Sequence, residues 1–372
     1  MGIRKLTLLT LVVIGACHPK TPIEQRTTTG VTRSVLMMNS ADLAAPRWIA
    51  EHGVPSIAVA YIENGAVQWT RVYGEQSEGI PATARTLYNV ASLAKPVFAE
   101  VVMRLVDEGR LSLDEPLASH WVDPDVTADP RHEKLTLRLA LSHRTGFPNW
   151  RSQDGGRLRF KADPGTALGY SGEGYEYAKR YIERKLRTSF DSLAHRYVLE
   201  PFGMTNTAFT RQDWFESRIA LPNGPEGIYG KPSFQPVASA SDDLYTTAAD
   251  YAAFVVGVMN RTGLSAEIAD ARDSLHVLNP RALPSCDSTA LSYCPRRIGM
   301  SLGWEILEFR DEIVRLHTGG DWGENTMAFY FPKRNAGAVM LTNSARGMKV
   351  VLEVIDLLFH DSDFARLALT MR

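Results

Sequence analysis

Two β-rich runs, residues 56–62 and 66–72, flank Asn64-Gly65 near the start of the chain. An Asn-Gly pair between such runs is the strongest short-range sign of a hairpin with a primed turn. Alternating segments return only near the other end, at residues 303–309, 312–317, 326–331 and 337–341. Between them the spacing is helical: residues 93–108 carry apolar side chains at helical intervals until Gly109, and residues 176–186 and 248–259 repeat the pattern. Further helices are expected near residues 40–52 and 348–359. Strands at both ends with helices between require a sheet closed by the two chain ends. The expected fold is α+β, an α/β sandwich with an antiparallel sheet flanked by helices and an inserted, mainly helical lobe at about residues 93–240. No internal repeat interrupts it.

The chain has 372 residues and a formal net charge of -1. Such a balance lacks the basic stripe that releases counterions from a polyanion, so nucleic acid is excluded as a partner. Arg4 and Lys5 precede an apolar run, residues 6–14, which gives way to Gly15 and Ala16. That order reads as a signal peptide over residues 1–16. Ile14-Gly15-Ala16-Cys17 resembles a bacterial lipobox, which makes Cys17 the expected lipidation site and a membrane the expected partner. Residues 17–34 are then expected to form a polar tether, and residues 35–372 a single folded domain, in an exported, membrane-anchored lipoprotein facing the periplasm or the cell exterior. An unlipidated secreted form is the alternative.

Two further cysteines, Cys286 and Cys294, flank a loop rich in Pro, Ser and Asp. In an oxidising compartment two nearby thiols tend to pair, and closing so short a loop stabilises by about 2 to 3 kcal/mol; two unpaired thiols are the alternative. Neither cysteine has a His or Cys at ligand spacing, and His120, His132 and His143 lack helical ligand spacing, so no metal is expected.

Ser92 lies where an extended segment, residues 86–90, meets the helix of residues 93–108, among first-turn amides without intrahelical partners. Such donors suit a developing oxyanion. Lys95 follows three residues later, on the same helical face, close enough for an amine to take a hydroxyl proton if desolvation depresses its pKa. Ser-x-x-Lys alone occurs often by chance. Tyr170-Ser171-Gly172 in a glycine-punctuated loop, and His317-Thr318-Gly319-Gly320 at a strand end, extend the pattern. Trp150, Trp304 and Trp322 are candidates for lining a cleft or for packing in the core.

In this order the segments resemble the penicillin-recognising serine hydrolases: class C β-lactamases, D-alanyl-D-alanine carboxypeptidases and related esterases. The resemblance extends from about residue 40 to 358, through Leu141-Ser142-His143-Arg144-Thr145-Gly146, Leu244-Tyr245-Thr246-Thr247-Ala248 and Leu302-Gly303-Trp304 among others. It implies Ser92, Lys95 and Tyr170 as catalytic residues, with the general base undecided between Lys95 and Tyr170. The amides of Ser92 and Gly320 would form the oxyanion hole, and His317, Thr318 and Gly319 would bind substrate. It implies no cofactor and a small-molecule or peptide substrate. Gly172 stands where the family often has an amide, and His317 where many β-lactamases have lysine. Both departures lean towards an ester or D-amino-acid peptide substrate. A class C-like β-lactamase and a penicillin-binding sensor without turnover are the alternatives. If His317 acts through its charge, an ionisation near pH 6 to 7 is expected. His143 is expected to be structural.

Overall fold

The computed structural model describes residues 32–279, Cys286 and residues 293–371. The expected leader and Cys17 lie outside these residues. Residues 33–372 form one compact unit.

Helix α1, Arg33–His52, begins seven residues before the expected stretch, inside the segment read as tether, and buries Ala41, Ala45 and Trp48 on one stripe. Strands β1, Ser56–Glu63, and β2, Ala66–Ser77, form the hairpin. Asn64 and Gly65 have φ of 55° and 74°, the pair of left-handed residues that a type I′ turn demands. A short β3, Ile80–Pro81, edges β2, and β4, Tyr88–Asn89, pairs across the lobe with β5, Tyr245–Thr246.

The lobe is built on α2, Ala94–Asp107, which buries eleven residues including Lys95 and Glu100. Around it lie α3, Leu137–Leu141; α4, Gly172–Leu186; α5, Phe190–Ala194; α6, Ala248–Met259; and α7, Ala266–Asp273. Then come β6, Val277–Leu278; β7, Arg297–Met300; β8, Glu305–Glu308; β9, Ile313–Asp321; β10, Glu324–Phe331; and β11, Ala336–Thr342. Helices α8, Gly347–Phe359, and α9, Asp363–Leu369, close the chain.

Among the described residues the main sheet runs β3-β2-β1-β11-β10-β9-β8-β7-β6, antiparallel throughout, so the two chain ends meet where β1 pairs β11. The pleat divides two cores. Ala58, Ala60 and Ile62 of β1, with Val339 and Leu341 of β11, face the lobe. Ile57, Val59 and Tyr61, with Ala338 and Met340, face α1, α8 and α9. This architecture is the expected α+β fold. Cys286 and Cys294 are joined as a disulfide with Cα atoms 5.5 Å apart.

A buried ionic knot anchors the lobe. Arg272 on α7, 1% exposed, donates to Glu100 Oε2 at 2.9 Å, to Asp273 Oδ1 at 2.9 Å and to the carbonyl of Val258 at 2.8 Å. It fastens α7 to α2 and α6, the helix that carries Lys95 and the helix packed beside it.

Candidate active site

Ser92 sits on a tight turn, residues 91–93, between β4 and α2. Ala91 is held at φ 46°, a left-handed conformation unusual for a residue with a Cβ, by its amide's hydrogen bond to Asn89 Oδ1 at 3.0 Å. The amide of Val90 bonds the carbonyl of Leu244 at 2.9 Å, and Tyr251 Oη donates to the carbonyl of Leu93 at 2.8 Å. The turn is therefore clamped from both sides. Ser92 stays half-buried.

Lys95 is fully buried one helical turn on. Its Nζ donates to Ser92 Oγ at 2.9 Å and to the carbonyl of Ser241 at 2.7 Å. Burial brings its pKa down from 10.5 to about 8, against the opposing pull of Asp242 and Glu176. Aromatic rings wall it in: the centroid of Tyr170 lies 4.9 Å from Nζ, that of Tyr175 5.9 Å and that of Trp150 6.0 Å.

Tyr170 immediately precedes the N-cap of α4, where Ser171 Oγ accepts from the amide of Gly174 at 3.0 Å and donates to the carbonyl of Pro148 at 2.7 Å. Its hydroxyl is hydrogen-bonded with Ser92. Tyr170 keeps 39% of its surface accessible, yet protein crowding pushes its pKa above the ordinary phenol value, with the Ser92 bond pulling the other way. His143, fully buried at φ 56°, stacks on the Tyr170 ring at 4.2 Å and accepts the Ser171 amide at Nδ1. Expected only to be structural, this histidine is the surface against which the phenol rests.

Gly172 lies directly under Trp150: a Cβ there would come within 2.7 Å of the indole. The space that an amide side chain would fill holds an aromatic ring instead, and the carbonyl of Ser241 supplies the lysine's second acceptor. Trp304 is buried in the lobe core, and Trp322 is 52% exposed over Gly224 and Gly230. Of the three tryptophans, Trp150 is the one beside Lys95.

The strand end of β9 meets this turn closely. A Cβ on Gly319 would lie 2.1 Å from the carbonyl oxygen of Val90, so only glycine allows the approach. Thr326 on β10 also donates to that carbonyl, at 3.0 Å. Thr318 and Gly320 are exposed on either side of buried Gly319. His317 is 4% exposed, and its Nδ1 lies 2.8 Å from the carbonyl of Thr318, which requires the proton on Nδ1 and leaves Nε2 a lone pair. Burial, with Lys95 adding to it, lowers its pKa to about 3. An imidazole buried beside Lys95 is held in its neutral form, which runs against the ionisation near pH 6 to 7 expected if His317 acted through its charge.

Several neighbours were invisible in the sequence pattern. Glu176 accepts from Ser239 and Ser241, and Lys179 holds it below the ordinary carboxylate value although burial acts the other way. Asp242 and Asp243 are both pushed up by burial. Their carboxylates and that of Asp321 lie within 4.8 Å of one another. The adjacent pair stands beside the Leu244-Tyr245 segment that the family resemblance already marked, and that nearness was its only signal.

Comparison with known proteins matches residues 38–359 to the Beta-lactamase family model. The chain belongs to the β-lactamase family. This β-lactamase-family chain is 23% identical over 313 residues to Protein flp of Staphylococcus aureus, covering 78% of the chain and 60% of that protein. It is 25% identical over 341 residues to the unguisins hydrolase ungD of Aspergillus violaceofuscus, covering 78% and 58%. The chain thus spans about 60% of the length of these relatives. Its fold matches a class C β-lactamase mutant with a TM-score of 0.73 at 16% identity, over 89% of this chain and 99% of the other. It also matches the octameric penicillin-binding protein homologue from Pyrococcus abyssi, with a TM-score of 0.72 at 22% identity over 86% and 77%. A D-alanine carboxypeptidase from Burkholderia cenocepacia gives 0.70 at 19% over 88% and 99%. Membership of this family makes the chain a serine-hydrolase-type protein.

Proposed function

We propose that this chain hydrolyses an ester or a D-amino-acid peptide through an acyl-enzyme on Ser92. The observation that carries this reading is the 2.9 Å contact between Ser92 Oγ and an Nζ that is buried and shifted to about 8. Ser92 Oγ adds to the substrate carbonyl while its proton passes to the neutral amine of Lys95. The amides of Ser92 and Gly320 receive the oxyanion. Tyr170, kept as a phenol by its raised pKa, donates a proton to the leaving group and is reprotonated by Lys95. Water then attacks the acyl-enzyme, its proton returning through Lys95, and Ser92 is released. A neutral His317 supports esters, and peptides whose leaving group carries no free carboxylate, over β-lactams, because it supplies no positive charge for a carboxylate. The basic and apolar leader ending at Cys17 supports export and a lipid anchor.

The test is a panel of a chromogenic ester, a D-alanyl-D-alanine peptide, nitrocefin and fluorescent penicillin, read by turnover and by the acyl mass on Ser92, with Ser92→Ala as control. Turnover of ester or D-peptide with an adduct on Ser92 is expected. Efficient nitrocefin turnover indicates a class C-like β-lactamase instead, and penicillin labelling without any turnover a sensor. An adduct on another serine overturns the mechanism.

A further inference from the structure

Beside Tyr170 and the end of β9 lies a cavity of about 320 Å³, lined by Tyr170, His317, Thr318, Asn279, Met300 and Glu305 among others. It is large enough for a small-molecule group. Glu305 opens β8, opposite Leu316 of β9. Glu305 is half-buried, lines both this cavity and a neighbouring one against α8 and α9, and makes no hydrogen bond or ion pair with any described residue. No lysine or arginine is among the described residues that line the cavity. A carboxyl withdrawn from water without a partner is costly to keep, and burial alone pushes its pKa to about 7. His317, the other titratable group of the wall besides Tyr170, presents a buried Nε2 lone pair that has no partner among the described residues. Both groups therefore offer acceptors, and neither offers the fixed cation that a free carboxylate on a substrate would need.

We propose that this cavity receives the leaving-group side of the substrate and that Glu305 selects leaving groups bearing a protonated amine over those bearing a carboxylate. The ammonium supplies the counter-charge that Glu305 lacks, and its N–H groups match acceptors that the protein leaves unfilled. The inference rests on the acyl-hydrolase reading of Ser92 and narrows it: the bond cleaved joins an acyl group to an amino alcohol, a diamine or a basic residue without a nearby free carboxylate. Asp242 and Asp243 line a separate cavity with Trp150 and Glu176.

The experiment compares three aryl acetates, the para-(aminomethyl)phenyl, para-ethylphenyl and para-(carboxymethyl)phenyl esters, at about pH 8, where an exposed benzylic amine remains protonated. The acetyl-enzyme is common to all three, so kcat/KM reads the leaving group alone. The expected order is ammonium over neutral by about tenfold or more, the scale of one charge-assisted contact, with the carboxylate ester below both. Glu305→Gln should bring the ammonium-to-neutral ratio close to one, and Glu305→Lys should favour the carboxylate ester. A wild-type ratio near one, or a preference for the carboxylate ester, overturns the proposal whether or not either variant folds. An ammonium preference that persists in folded Glu305→Gln removes Glu305 as its source. If none of the three is hydrolysed and Ser92 gains no acetyl mass, the ester reading of Ser92 falls and this inference with it; equal hydrolysis of all three defeats the inference alone.

Discussion

Gly319 touches Val90 so closely that a methyl group on Gly319 would sit 2.1 Å from the Val90 carbonyl oxygen. This contact joins β9 to the turn bearing Ser92 across more than two hundred residues of sequence, and in the proposed mechanism the next amide, that of Gly320, is the second oxyanion donor. Gly319→Ala should push the strand away and displace one oxyanion donor. Loss of kcat/KM by about 10² to 10³ is expected, with the far-ultraviolet spectrum unchanged. Activity within a few-fold of wild type would show that the two elements can part without harm.

In the proposed mechanism the neutral form of Lys95 takes the proton, so activity should rise with pH. With a pKa near 8, about a tenth of the amines are neutral at pH 7 and most are neutral at pH 9. The kcat/KM profile should therefore climb through a single limb near pH 8. His317→Gln should leave that limb in place and reveal no second ionisation between pH 6 and 7, since His317 is already neutral there. A limb near pH 6.5 that His317→Gln removes would contradict the neutral imidazole.

Arg272 is buried with two carboxylates and a carbonyl as its partners. Arg272→Ala removes the 2.9 Å bond to Glu100 inside the lobe and leaves Glu100 only Arg104 Nε at 3.2 Å, so unfolding free energy should fall by about 1.5 to 3 kcal/mol. Urea denaturation would show it as a lower midpoint with an unchanged slope. A loss under about 1 kcal/mol would mean that water reaches Glu100 freely.

Export and anchoring are read from the leader alone. Cys17→Ser should move the protein from the membrane fraction to the soluble fraction in a cell that processes lipoproteins, and should abolish incorporation of labelled palmitate. Unchanged membrane association would set aside the lipid anchor.

What the chain's order of residues determined by itself was local and periodic. Asn64-Gly65 needed only its own two left-handed dihedrals to announce the hairpin, and the apolar spacing of α2 needed only its own turns. Ser92 and Lys95 were legible because one helical turn brings them together. The two-residue β6, the four-residue β7 and α9 escaped notice, because elements so short carry too few repeats of any period. The rest of the site belongs to tertiary structure. Lys95 finds its second acceptor in Ser241, 146 residues away, and Ser171 finds His143 28 residues back. Trp150 fills the room above Gly172, and Glu305 reaches the cavity only because β8 lies beside β9. Burial and charge at such places come from groups distant in sequence. The order of residues put the proposed nucleophile and its neighbour on one helical turn; the packing of sheet against lobe decided that the amine is poised near 8, that His317 is neutral, and which carboxylates surround them.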